Sequence, residues 1–154
     1  LILEELLFKK HWHIGIDPYG NLNYPHYDKK EPTTADYTND MKHQLIKDLD
    51  YKNFSLFQME DDEFMKRFHD GVPIYKNGKE LKTKYDLIFL DGPHTTLAVL
   101  KEAIFFAERS KPGTVIIFDD YPAYDMDLIL KVIVNNFGFM LLKQGKNKIS
   151  LKRN

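Results

Sequence analysis

The sequence predicts an α/β fold: a mostly parallel, doubly wound sheet with a C-terminal antiparallel hairpin. Three observations carry this. Two strongly apolar runs, Tyr85-Asp86-Leu87-Ile88-Phe89-Leu90, apolar on both faces as a strand buried on both is, and Thr114-Val115-Ile116-Ile117-Phe118, are joined by a helical segment, the pattern of neighbouring parallel strands with a crossover. Strand-like and helix-like segments alternate along the chain from His13 onward. Two last β-type runs, from Phe139 and from Lys148, flank Gly145-Lys146-Asn147.

With 154 residues, 43% of them hydrophobic and 29% charged, the chain matches one ordinary domain spanning residues 1–154. No apolar run approaches the roughly 20 residues of a membrane helix, so no membrane partner is expected. Lys plus Arg number 22 against 23 Asp plus Glu, a balance without global attraction to nucleic acid. Cysteine is absent, which removes disulfides, thiolate metal sites and cysteine nucleophiles; it fits a reducing compartment, and the expected location is cytoplasmic. No heptad seam or single apolar patch points to an oligomeric state.

Taken in order, Leu3, Leu6 and Leu7 suggest the end of an amphipathic helix. His13 to Asp17 reads as a short strand closed by Pro18 and Gly20. Asn21 to Thr34 is loop-like, and its tyrosines suit either a lid or packing back on the surface. Met41, Leu45 and Leu49 recur every four residues and predict a helix. Phe54 to Gln58 is strand-like, Glu60 to Phe68 helical, and Asp70-Gly71 ends that helix. Val72 to Lys84 holds Asn77-Gly78, a strong hairpin signal, and reads as a surface excursion. After the Tyr85–Leu90 strand, Thr95 or Thr96 caps a helix with Leu97, Leu100, Ile104 and Ala107 on one face. Pro112-Gly113 turns into the second apolar strand. A further helix carries Ile129, Ile133 and Phe137, with Gly138 as its cap.

In such sheets ligands bind beyond the carboxyl ends of the strands. Those positions read Asp17, Glu60-Asp61, Asp91 and Asp119-Asp120. Asp is common in turns and caps, which explains one such acid more easily than four. Neighbouring strands lie about 4.8 Å apart, so Asp91, Asp119 and Asp120 would repel one another unless they take up protons or a cation. Oxygen-only ligands suit a hard ion such as Mg²⁺.

The segment from Tyr85 to Leu90 followed by Asp91-Gly92-Pro93-His94, together with Lys111-Pro112-Gly113-Thr114-Val115-Ile116-Ile117-Phe118-Asp119-Asp120, resembles class I S-adenosylmethionine-dependent methyltransferases, most closely their metal-dependent small-molecule O-methyltransferase branch. The resemblance implies a single Rossmann-like methyltransferase domain. It implies that Asp17 binds the cofactor ribose, that Glu60 and Asp61 edge the adenine, and that Asp91 lies by the cofactor as well. It further implies that Asp91, Asp119 and Asp120 hold a divalent cation, Mg²⁺ by preference, and that His94 is the catalytic base. The family's first strand and Gly-rich loop have no counterpart here. The expectation is an N-terminally truncated chain, with Leu1 to Lys10 as the helix after that loop.

The function expected is divalent-metal-assisted O-methylation of a small-molecule hydroxyl by S-adenosylmethionine. The alternatives are a Mg²⁺-dependent phosphoryl-transfer domain and a non-catalytic α/β domain for nucleotide binding or assembly.

Overall fold

The structure, a computed structural model, describes residues 11–20, 23–24, 33–34, 37–49, 53–92 and 95–154. The helix expected before Lys10, most of the Asn21–Thr34 loop, and Pro93 and His94 lie outside the described residues. The chain divides into two compact units, one formed by residues 1–23 and 34–81, the other by 24–33 and 82–154.

The first unit is built on a parallel strand pair, β1 (His13–Ile16) and β4 (Phe54–Phe57), in register from His13 against Phe54 to Ile16 against Phe57. Two-residue strands β2 (Asn23–Tyr24) and β3 (Thr33–Thr34) pair with each other. Gly15 leaves room for the side chains of β4: a Cβ there would meet Leu56 Cδ1 at 2.9 Å and Phe54 Cζ at 3.3 Å, so those side chains would have to shift. Trp12 Nε1 donates to Ser55 Oγ at 3.1 Å and fixes the start of the pair.

Helix α1 (Asn39–Leu49) precedes β4, as the four-residue spacing predicts, but Met41 and Leu45 of the predicting stripe are exposed. Helix α2 (Asp61–Arg67) follows β4 and buries Phe64, whose ring meets those of Phe57 and Phe68 at 5.5 and 5.0 Å. The hairpin of β5 (Val72–Tyr75) and β6 (Lys79–Lys82) turns at Gly78, whose φ of 138° only glycine adopts without strain. It is not wholly a surface excursion. Val72 and Ile74, alternating along β5, are buried, because that strand puts one face inward.

The second unit is a four-stranded sheet in the order β7 (Tyr85–Leu90), β8 (Ser110–Phe118), β10 (Ile149–Arg153), β9 (Phe139–Gln144). β7 and β8 run parallel, while β10 is antiparallel to both β8 and β9, as the closing hairpin predicts. Helices α3 (Thr96–Glu108) and α4 (Met126–Phe137) supply the crossovers. Thr95 is the cap of α3, its side chain accepting the Ala98 N–H at 3.3 Å; Gly138 ends α4 with a φ of 69°.

The core lies on one face of this sheet. Ile88, Leu90, Ile116, Phe118, Ile149 and Leu151 alternate inward against Val99, Ala103, Ile129 and Ile133 of the helices. Burying these side chains is the main driving force for this unit, at about 1.5–3 kcal/mol for each large aliphatic or aromatic one. Two expectations shift here. The buried face of α3 is Val99–Ala103–Ala107 rather than the stripe beginning at Leu97, which is exposed. β7 is buried on one face only, with Leu87 and Phe89 exposed on the other.

Candidate active site

In each unit, a parallel strand pair delivers acids to its carboxyl end. In the first, the Asp17 N–H donates to the Phe57 carbonyl at 3.1 Å, so the chain leaves β1 beside the exit of β4. The Asp17 carboxylate turns back and accepts the Tyr19 N–H at 2.8 Å, with Tyr19 in left-handed backbone (φ 45°). The Gly20 N–H then donates to the Tyr37 carbonyl at 2.7 Å. On the β4 side, Glu60 caps α2 through its carbonyl, which accepts from the Phe64 N–H at 2.9 Å, while its side chain makes no capping bond.

Asp17, Glu60 and Asp61 are thereby gathered. Burial pushes the Asp17 carboxyl up from its ordinary value, the Tyr19 N–H opposes this, and the charge of Asp61 adds to it. The Glu60 carboxyl is also pushed up, first by partial burial, then by Asp61, Asp17, Asp62 and Glu63. The charges acting on Asp17 and Glu60 are those of neighbouring acids. A ligand that brings hydrogen-bond donors relieves the cost, and a ribose diol or an exocyclic amine is such a ligand.

In the second unit, Asp91 follows β7 and Asp119 follows β8, and the Asp119 N–H donates to the Leu90 carbonyl at 3.0 Å. Asp119 Oδ1 accepts the Asp120 N–H at 2.9 Å, with Asp120 again in left-handed backbone (φ 45°). Tyr19 and Asp120 are the only non-glycine residues with positive φ among those described, and each donates its N–H to a strand-end aspartate. Such backbone costs of order 1–3 kcal/mol and gathers at functional sites. A 3₁₀ turn (Tyr121–Ala123) follows, and the Tyr124 hydroxyl donates to the Asp119 carbonyl at 2.9 Å. Burial pushes that hydroxyl far up, and Glu102, Asp119, Asp120 and Asp91 push it further, so Tyr124 remains a protonated donor.

The described residues do not support the expectation that Asp91, Asp119 and Asp120 hold a metal. No group of three or more metal-ligating side chains is arranged to hold an ion among the described residues. The physical reason lies at Asp119. Its Oδ2 accepts from the ammonium of Lys148, and its Oδ1 is taken by the Asp120 N–H. Mg²⁺ demands near-octahedral oxygen ligands at about 2.0–2.1 Å, and this donor set does not fit it. His94, the expected base, lies outside the described residues.

Sequence reasoning missed Lys148 and Tyr124. The signal for Lys148 is register. Ile149 stands opposite Phe118, so Lys148, the residue just before β10, comes beside Asp119, the residue just after β8.

Residues 10–121 match the family described as a methyltransferase domain. The chain belongs to that methyltransferase-domain family. Its members' chemistry makes S-adenosylmethionine the cofactor and the chain an S-adenosylmethionine-dependent methyltransferase. The mixed α/β architecture, with parallel and antiparallel strand pairs and helical crossovers, is consistent with the Rossmann-like fold of such enzymes. No curated protein matches the chain. Among solved structures, an rRNA methylase from Streptococcus thermophilus is similar at 14% identity and a TM-score of 0.48, covering 98% of this chain and 91% of that one.

Proposed function

We propose that this methyltransferase transfers a methyl group to the hydroxyl of a small molecule, and that Asp17, Glu60 and Asp61 hold the nucleoside half of the cofactor. The observation that carries the reading is the gathering of these acids where β1 and β4 end, in a chain of methyltransferase family. Bound S-adenosylmethionine supplies an electrophilic methyl group. Asp17 accepts from the ribose hydroxyls, while Glu60 and Asp61 edge the adenine. Asp91, at the end of β7, is assigned to the cofactor as in the sequence reading. His94 is assigned the acceptor's proton, since an imidazole titrates near neutral pH and stands three residues after Asp91.

A small acceptor is favoured over nucleic acid because the chain's net charge is −1 and its strand ends are acidic, which repels a phosphate backbone. Metal assistance is not part of this reading, given how Asp119 is engaged. The family match sets the phosphoryl-transfer and non-catalytic alternatives aside.

Calorimetry with S-adenosylhomocysteine tests the cofactor site. Wild type should bind, and Asp17→Ala should bind about 10- to 100-fold more weakly, the size of a lost hydrogen bond to a charged group. No binding by wild type refutes the reading; unchanged affinity in Asp17→Ala removes Asp17 from it. Radiolabelled methyl transfer to a panel of sugar and catechol hydroxyls, with total RNA beside it, tests the acceptor. Label in RNA alone refutes the small-molecule assignment.

A further inference from the structure

The acids that close β7 and β8 raise a charge problem that the chain answers with its own side chain. We infer that Lys148 is the resident cation of these strand ends, standing where the sequence reading put a divalent ion, and that the enzyme works without metal there. The inference rests on the methyltransferase reading of this end.

Three observations support it. The pairing of β10 with β8 fixes Lys148 beside Asp119, so the contact is built into the sheet register. The hairpin turn is pinned independently of that contact. The Gly145 N–H donates to the Lys148 carbonyl at 2.8 Å, the Tyr121 N–H to the Asn147 carbonyl at 3.3 Å, and Gln144 Nε2 to the Tyr121 hydroxyl at 2.8 Å. The ammonium also lies 5.1 Å from the centre of the Phe89 ring, within cation–π range. Its partner is sheltered, with the Asp119 side chain 14% exposed. Oδ2 of Asp119 accepts from Lys148 and Oδ1 from the Asp120 N–H, so each oxygen already has a partner in its own protein. Lys148 acts through Asp119 and is a positioning residue: it fixes the carboxylate around which the left-handed Asp120 turn is folded.

Titration of the whole chain with Mn²⁺ alone, followed by electron paramagnetic resonance, separates this inference from the methyltransferase reading, because it reads no methyl transfer. Wild type should take up no ion at about 1 mM, already a weak-site concentration. Lys148→Met frees Oδ2 and should gain Mn²⁺ affinity by about tenfold or more, and Asp119→Asn in that background should remove the gain. Lys148→Arg keeps the charge and should remain metal-free, which guards against a Met variant that fails to fold. Methyl transfer by wild type should survive EDTA. Stoichiometric Mn²⁺ uptake by wild type that Asp119→Asn abolishes overturns the inference. So does a folded Lys148→Met protein that binds no more Mn²⁺ than wild type, since Lys148 would then fill no cation position. Loss of turnover in EDTA overturns it as well.

Discussion

Where β1 and β4 end, Asp17, Glu60 and Asp61 crowd one another, and two of the three carboxyls are pushed toward protonation. Where β7 and β8 end, Asp119 meets an ammonium delivered by the β9–β10 hairpin. Both ends share a device: an aspartate carboxylate folds back onto the N–H of a left-handed residue, Tyr19 in one and Asp120 in the other. They differ in how charge is balanced. At the first, the charges acting on Asp17 and Glu60 are those of other acids. At the second, one ammonium from the chain itself meets one of the acids. The strands beneath differ too. β1 and β4 contain no fully buried residue, whereas β8 buries Thr114, Ile116 and Phe118 in alternation. A well-packed platform supports the β7–β8 end, proposed to serve the acceptor through His94 and the cofactor through Asp91, and a lightly packed one the β1–β4 end, proposed to hold the nucleoside.

The largest effect should come from the acceptor end. Removing a general base costs about 10²- to 10⁴-fold in rate, so His94→Ala should lower turnover by that order while affinity for S-adenosylhomocysteine stays near wild type. It should also abolish the acidic limb of the pH–rate profile near the imidazole pKa. Wild-type turnover at every pH would leave His94 as a turn residue and break the division of labour between the two ends.

The packing contrast predicts the next effect. Ile116 is fully buried in β8, and Ile116→Ala should cost about 2–5 kcal/mol in urea unfolding. Ile14, in β1, is only half-buried, so Ile14→Ala should cost clearly less. Equal losses would mean that the two strand pairs are equally well packed after all.

The charge contrast predicts a trade. Asp17 and Glu60 have carboxyls raised above their ordinary values of 3.8 and 4.5. The folded protein therefore holds those protons more tightly than the unfolded chain. Their favourable contribution is present below the ordinary values and is lost as pH rises through the raised ones. At neutral pH the cluster works against folding. Asp17→Asn keeps an acceptor for the Tyr19 N–H and removes the charge, so it should raise the melting temperature at pH 7 and lose that gain near pH 3. Cofactor affinity should fall by about tenfold, as for one weakened hydrogen bond. A variant no more stable at pH 7 than wild type would show that the acids are well solvated.

How much of this was legible in the sequence depended on whether local chemistry or pairing decided the outcome. Caps were readable because they are local: Thr95 and Gly138 stand where their residue types demand. So was the order of strands and helices, which hydrophobic periodicity writes directly. The inward face of α3 was not, because Leu97 and Val99 are equally apolar and only the position of the sheet selects Val99. Reading β7 as buried on both faces failed for a related reason, since apolar residues say what can be covered and not what covers it. At the candidate site, the acids were visible as strand-end residues. Lys148 was hidden because its partner is 29 residues away and only the β8–β10 register joins them.

The smallest effect concerns two helix caps and decides whether Glu60 is there for the helix or for a ligand. Thr95 caps α3 with a side-chain bond to the Ala98 N–H, and Thr95→Ala should cost about 1 kcal/mol. Glu60 occupies the same position on α2 and makes no such bond. Serine there is a better cap, so Glu60→Ser should stabilise the protein by up to about 1 kcal/mol, with relief of repulsion from Asp61 adding to it. A residue that is poor for its helix and held among like charges makes sense where a ligand uses it. Calorimetry with S-adenosylhomocysteine should therefore show Glu60→Ser binding more weakly even as urea unfolding shows it more stable. A variant that gains stability and keeps full affinity would place Glu60 outside the cofactor site. The β1–β4 end would then rest on Asp17 and Asp61 alone.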